Sequence, residues 1–216
     1  MLSERLMKIT ECIKGCGTIA DIGTDHGYIP IYCVLNGLCE SAIACDVNVG
    51  PLNAAKENIA KEGLSDKIGT RLSDGLDALK KGEADAIVIA GMGGFLIRDI
   101  LERGADKIEK NTLLILQPMV AMAELRQYLY KNGYDIFDEK LAREDTKFYN
   151  IICARKGKSD YSEKDIFVGR NIEDDENYGE YIAFHKNVIN KIIKGLEKSE
   201  GKETEIEEYK RKLELF

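Results

Sequence analysis

The sequence predicts an α/β fold: a mostly parallel seven-stranded sheet that ends in an antiparallel hairpin and is followed by a helical hairpin. Three observations carry that expectation. Short apolar runs alternate with amphipathic stretches up to Lys131, the pattern of βα units around a parallel sheet. The extended runs 134–143 and 147–154 are then separated only by Glu144, Asp145 and Thr146, too few residues for a parallel crossover, so they pair antiparallel. Last, Tyr178, Tyr181, Ile182, His185, Val188, Ile189, Ile192, Ile193 and Leu196 keep a three-four spacing. It resumes at Ile206, Tyr209 and Leu213 beyond Ser199-Glu200-Gly201, as two antiparallel helices of coiled-coil type require.

In order along the chain, Leu2, Leu6, Ile9 and Ile13 fall at helical spacing and predict an amphipathic helix over 2–14 that closes the sheet. The run Thr18-Ile-Ala-Asp-Ile22 is a first strand. It breaks into a turn punctuated by Gly23 and Gly27 before a buried helix from Tyr28, with Pro30 in the first turn where no N–H is needed. A second strand over 41–47 ends at Asp46, and Gly50-Pro51 opens a helix over 52–61. The third strand, 68–72, ends at Ser73-Asp74-Gly75. The fourth, 85–90, runs into Gly91-Met92-Gly93-Gly94 ahead of a helix over 95–103, and the fifth, 112–116, closes on Gln117-Pro118-Met119 ahead of a helix over 121–131. Ser162-Glu163-Lys164-Asp165 reads as a capped helix start. The division expected is residues 1–158 for the sheet domain and 159–216 for the helical hairpin.

Composition excludes several classes. Of 216 residues, 44% are hydrophobic and 32% charged, ordinary for a soluble globular chain, and no stretch approaches a membrane span or a signal-peptide core. A cytoplasmic location is expected. The net charge of −7 argues against a generally basic nucleic-acid binder but leaves room for a local basic face. Six cysteines form no Cys-x-x-Cys pair and mostly fall in apolar elements, so reduced thiols and no metal site are expected.

The turn after the first strand is Asp21-x-Gly23-x-x-x-Gly27, with Asp25 where a dinucleotide fingerprint places its pyrophosphate-facing glycine. A carboxylate there repels phosphate and suits a cation, such as the sulfonium and ammonium of S-adenosylmethionine (SAM). At the tip of the second strand, Asp46 stands where α/β nucleoside binders place the acid that accepts from both ribose hydroxyls, with Val47 beside it. Asp74 would contact the adenine amine or cap the next turn. The bare backbone of Gly91, Gly93 and Gly94 suits close ligand approach. A parallel βα sheet finished by a hairpin is the arrangement of class I SAM-dependent methyltransferases. An Asn-Pro-Pro-Tyr element, which would signal attack by an exocyclic amine, is absent from the fourth strand, and no Pro-Cys pair supports cytosine-C5 chemistry.

Three segments together, residues 21–30 (Asp-Ile-Gly-Thr-Asp-His-Gly-Tyr-Ile-Pro), 90–94 (Ala-Gly-Met-Gly-Gly) and 116–118 (Leu-Gln-Pro), resemble the bacterial TrmK family, and the resemblance extends over the whole chain. It implies a class I methyltransferase domain joined to a C-terminal helical hairpin, using SAM to methylate N1 of adenine 22 in tRNA and releasing S-adenosylhomocysteine. It implies a cofactor site built from Asp21, Gly23, Asp46, Asp74, Gly75 and the backbone of Ala90, Gly91 and Met92, with Asp25, His26, Gln117 and Pro118 facing the target base. Met119 departs from the family, which often carries Asn after Gln-Pro.

Each of these residues has a plainer role open to it. Asp21 either caps the loop or contacts the methionine moiety, His26 shapes the loop or positions the base, and His185 is a seam residue of the hairpin. Tyr28 and Tyr149 stack on the base or pack the core, while Lys186, Lys191 and Lys194 would meet tRNA phosphates. Adenine N1 carries an available lone pair, so no obligatory general base is needed. Transfer to another RNA, small molecule or protein, or a non-catalytic RNA-binding module, would keep much of the same pattern. The oligomeric state is not encoded in these motifs, and a monomer is compatible with all of them.

Overall fold

A computed structural model describes residues 2–216. In chain order the elements are α1 (Glu4–Glu11), β1 (Cys16–Ile22), α2 (Tyr28–Leu35), β2 (Cys39–Asp46), α3 (Val49–Lys61), β3 (Ile68–Leu72) and β4 (Ala86–Met92). There follow α4 (Gly94–Arg103), β5 (Leu113–Pro118), α5 (Met122–Lys131), β6 (Tyr134–Glu144), β7 (Lys147–Lys156), α6 (Glu163–Phe167), α7 (Tyr178–Leu196) and α8 (Glu203–Leu215). The seven strands form one sheet in the order β3-β2-β1-β4-β5-β7-β6, parallel from β3 to β5, with β7 antiparallel to both β5 and β6. The strand order reverses between β1 and β4, which opens a crevice at the strand C-termini.

Both faces of the sheet are covered, so its central strands are apolar on both sides rather than alternating. Ala20, Ile22, Ile87, Ile89, Leu114 and Leu116 point to one face and pack with Ile97, Leu101, Leu125 and Leu129 of α4 and α5. Ile19, Ala42, Ala44, Val88 and Ile115 point to the other and pack with Ile9, Ile29, Cys33, Ala55 and Ile59 of α1, α2 and α3. Cys33, Cys39, Cys45 and Cys153 are buried, Cys12 and Cys16 partly so, and all six are free thiols. Burial pushes the Cys39 thiol up to about 11 and the Cys45 thiol up to about 12, which keeps both protonated and inert.

Three features go beyond the elements expected from the sequence. The crossover from β3 to β4 carries no helix. It is a chain of turns through Gly75 and Gly82, both at positive φ, pinned by buried Leu76 and Leu79. β4 continues past Ala90 through a bulge at Gly91 (φ 77°), where glycine alone takes the left-handed backbone without strain. β6 also carries a bulge, between Ile136 and Asp138.

The tail begins with a reciprocal cap, in which the Asp165 N–H donates to Ser162 Oγ and the Ser162 N–H donates to the Asp165 carboxylate. It returns to the sheet at a third cluster formed by Leu141, Val168, Ile172 and Tyr181, with Phe148, Leu215 and Phe216 against it. Beneath that cluster the buried Arg126 of α5 and Glu139 of β6 form an ion pair at 2.8 Å. The Arg126 guanidinium also donates to Ile166 O, the Arg170 N–H donates to Glu139, and the Tyr181 hydroxyl donates to Val168 O. A side chain at Gly169 would come within 3.2 Å of both charged groups.

Candidate active site

A cavity of about 570 Å³ lies at the C-terminal ends of β1, β2 and β4, at the reversal point of the sheet. Its floor is the loop after β1. The N–H groups of Gly23 and Thr24 both donate to Cys45 O at 2.8 Å, which ties this loop to β2. Gly23 has φ 78°, and a Cβ there would stand 2.3 Å from Met92 Cε, so only glycine leaves the loop this close to the end of β4. Asp21 faces the cavity and is only 5% exposed. Burial raises its carboxyl pKa to about 6, opposed by the Thr24 side chain and reinforced by the charge of Asp46.

Asp46, also buried, is oriented by the Asn48 N–H, which donates to Oδ1 at 2.7 Å and leaves Oδ2 for a ligand. Val47 is exposed beside it and lines the mouth. Asp74 lines the opposite wall, where the Arg103 guanidinium donates to both carboxylate oxygens at 3.0 and 2.9 Å and holds the carboxyl below its usual range. The turn cap considered for Asp74 belongs instead to Ser73, whose hydroxyl donates to Gly75 O and accepts from the Ala78 N–H. Gly75, Ala90, Gly91 and Met92 complete this part of the lining.

Asp25 and Tyr28 stand at the rim of the cavity. His26 is outside the lining: its ring stacks on Tyr28 at 5.4 Å, and Nε2 lies 3.3 Å from Asp25 Oδ1. His26 holds φ 59° and its carbonyl accepts from Asn58 Nδ2, so it acts on the shape of the loop.

Several residues expected to face the target base are instead internal. Gln117 is fully buried: Oε1 accepts from Arg5 Nη1 (2.7 Å) and from the Gly91 N–H (3.1 Å), while Nε2 donates to Pro118 O. An amide so fully engaged braces the wall and has no group left for a base. Pro118 is buried in β5 outside the lining, and Tyr149 is half-buried with the Arg5 guanidinium 5.6 Å over its ring. Gly93 precedes α4, and Gly94 is glycine because a Cβ would lie 2.3 Å from Ala121 O, a packing demand. Lys186, Lys191 and Lys194 are exposed on α7, away from the cavity lining.

Sequence reasoning missed Arg5, which reaches the cavity from α1. The signal was present, since Arg5 falls three residues after Leu2 and four before Ile9, a cation placed on the buried stripe of an amphipathic helix. It is the one cationic side chain among the described residues of the lining, against Asp21, Asp25, Asp46 and Asp74. A cavity with that balance repels pyrophosphate and accepts a ligand carrying positive charge beside a ribose.

The fold, the switch-point cavity and the acid at the end of β2 define a class I methyltransferase. A family model described as a methyltransferase domain matches residues 2–152. The chain is 42% identical to the tRNA (adenine(22)-N(1))-methyltransferase of Bacillus subtilis over 188 residues, 87% of this chain and 77% of that one. The crystal structure of the B. subtilis m1A22 tRNA methyltransferase TrmK superposes with a TM-score of 0.88 at 36% identity, covering 100% of this chain and 97% of that one. M. capricolum TrmK, solved with S-adenosyl-homocysteine, superposes with a TM-score of 0.87 at 32% identity, covering 100% and 96%. This chain belongs to the TrmK family.

Proposed function

We propose that the protein transfers the methyl group of SAM to N1 of adenine 22 in tRNA and releases S-adenosylhomocysteine. The observation that carries this reading is the cavity at the β1–β4 reversal, where Asp21 and Asp46 are buried with no cation in ion-pair reach among the described residues and Gly23 and Gly91 line the wall with bare backbone. The M. capricolum relative holds the cofactor product within the same fold. Bound SAM supplies an electrophilic methyl on a sulfonium.

The residues of this chain divide the remaining work. Asp46, fixed by the Asn48 N–H, accepts from the ribose hydroxyls, and Asp21 pairs with the methionine ammonium. The backbone at Gly75 borders the adenine of the cofactor, and the bulge at Gly91 turns bare backbone toward the transferring methyl. Asp25 and Tyr28 meet the target base at the rim. N1 attacks through its own lone pair; the S–CH3 bond breaks as the N1–CH3 bond forms, and positive charge passes to the adenine ring. The Asp25 carboxylate, steadied by His26, stabilises that charge without removing a proton.

Residues 1–158 form the transferring unit and 159–216 hold the tRNA. Lys186, Lys191 and Lys194 form no ion pair among the described residues, so they remain available to phosphates. A tRNA substrate places the protein in the cytoplasm, and no described helix is long and apolar enough to cross a membrane. The reading is tested with labelled SAM and unmodified tRNA transcripts carrying adenine or guanine at position 22. Label is expected in the first and not the second. Equal labelling of both, or labelling of protein alone, overturns it.

A further inference from the structure

We infer that the exposed face of α7 led by Phe184 stacks on unpaired nucleobases of the tRNA, beyond the adenine that is methylated; the inference rests on tRNA being the substrate. Phe184, Val188 and Ile192 follow at four-residue spacing, so they share one face of α7, and they are 40%, 38% and 36% exposed. Ile189 and Ile193, each one position further on, are buried. The stripe thus lies outside the face that these two bury. Lys191, seven residues after Phe184, stands in the same row and forms no ion pair among the described residues. Glu180 is the one acid of α7, and Arg143 already pairs with it. In a chain of net charge −7, this helix presents apolar side chains beside free cations.

The stripe is joined to the cavity by a short series of contacts. Arg5 and Leu6 of α1 line the cavity, and the Arg5 N–H donates to Glu144 Oε1 at 2.9 Å, at the turn between β6 and β7. On that turn the Arg143 guanidinium lies 5.8 Å over the Phe148 ring, and the Phe184 ring stands 5.6 Å from Phe148. RNA held at the cavity mouth therefore has α7 as a neighbouring surface. N1 lies on the Watson–Crick edge of adenine, so the target base is out of its pair when the methyl is transferred. Unpaired nucleotides offer flat apolar base faces that stack on an aromatic ring, whereas a duplex turns phosphates and hydroxyls outward, which gain nothing from Phe184 or Val188. A second copy of the chain fits the stripe less well. Three side chains somewhat over one-third exposed present on the order of 200 Å², against roughly 800 Å² per partner in a stable dimer. Gly195, seven residues after Val188, completes the row: a Cβ there would meet nothing within 4 Å, so packing does not demand glycine, and its bare backbone lets a planar ring come close.

The test measures binding of two RNAs, an unmodified tRNA transcript and a fully paired RNA duplex of equal length, to wild type, Phe184→Ala and Phe184→Tyr over a range of salt. Phe184→Ala is expected to weaken tRNA about tenfold at every salt concentration, with the salt slope unchanged and the duplex within about twofold, because stacking releases no counterions. Phe184→Tyr keeps the ring and should stay within about twofold of wild type for both RNAs. The sequence contains no Trp, so Phe184→Trp places a single indole on the stripe. Its emission should be quenched by tRNA and left unchanged by the duplex, and this readout decides the matter alone if the Ala variant does not fold. An Ala variant that binds tRNA as wild type does overturns the inference, as does an equal loss for both RNAs or an indole that tRNA leaves unaltered. Sedimentation that finds a wild-type dimer, and a monomer on Phe184→Ala, gives the stripe to a second copy and overturns it too. Wild-type protein that neither binds nor methylates the transcript brings down the tRNA reading beneath it.

Discussion

Asp21 and Glu139 are both carboxylates withdrawn from water, at 5% and 2% exposure, and the protein treats them in opposite ways. Glu139 accepts from two nitrogens of Arg126 and from the Arg170 N–H, so although burial pushes its carboxyl up, the Arg126 charge and these hydrogen bonds oppose that push. Asp21 has no cation within ion-pair reach among the described residues, and its pKa rises to about 6. A buried acid with its full set of donors joins parts of the chain, here α5, β6 and the segment leading to α7. A buried acid without them keeps its interaction energy for something that arrives from outside.

The comparison breaks most directly at Arg126. Arg126→Met leaves Glu139 buried and unpaired, and the protein should lose about 3–5 kcal/mol in equilibrium urea unfolding. Adding Glu139→Leu should restore most of it, because two apolar groups of similar volume remove the stranded charge. A single variant within about 1 kcal/mol of wild type would mean that the pair only decorates the junction.

The same contrast extends to Asp25, an exposed acid at the rim that the structure links only to His26. Asp25→Asn keeps the shape and removes the charge. Single-turnover methylation at saturating SAM and tRNA should slow roughly a hundredfold, about 2.7 kcal/mol of transition-state stabilisation, with both binding constants nearly unchanged. A rate within threefold of wild type assigns Asp25 to loop shape alone.

Asp21 sharpens the comparison through pH. Its folded pKa of about 6 lies above the ordinary 3.8, so the folded state holds the proton more tightly. Its contribution to stability is therefore full below the ordinary value and lost as pH rises through about 6, amounting to about 2–3 kcal/mol on linkage. Asp21→Asn removes this loss and should stabilise the ligand-free protein above pH 6 by about 1–2 kcal/mol while weakening SAM. In wild type, SAM affinity should fall below about pH 6 as Asp21 takes up its proton. Thermal melts at several pH values check the first effect and calorimetry the second; a variant less stable than wild type at pH 8 refutes the account of Asp21 as an unsatisfied acid.

The parts legible in the sequence are those written in local pattern. The parallel strands were apolar runs, the hairpin followed from a connection too short to cross over, and the ends of β1 and β2 were marked by Asp21, Gly23 and Asp46. The arrangements that escaped depend on partners far apart in the chain. Arg5 meets Gln117 across 112 positions, and nothing near either residue signals the meeting. Gln117, beside Pro118 in a strand-end motif, looked like a base-reading amide until its oxygen proved to be held from two sides. The pairing of Arg126 with Glu139 left no mark in the sequence pattern, because periodicity shows which face a residue takes and not which opposite charge faces it.

The contrast between satisfied and unsatisfied charge also divides the tail. Arg211 pairs with Glu163, and Lys212 pairs with Glu208 at 2.7 Å, so these two cations of α8 already have partners. Lys186, Lys191 and Lys194 on α7 do not. Removing the hairpin from Asn177 onward would be a poor test of this division, since it deletes Tyr181 from the buried cluster over Arg126 and Glu139. Replacing the three free lysines with Gln leaves that cluster intact. If each meets one phosphate, the log-log salt dependence of tRNA binding should flatten by roughly two to three, at about 0.7–0.9 per contact, with SAM affinity unchanged. Arg211→Gln with Lys212→Gln should flatten it by roughly one or less, because those cations release few counterions when their carboxylates already neutralise them. Equal slopes for the two sets would mean that pairing does not decide which charges of the hairpin are available to tRNA.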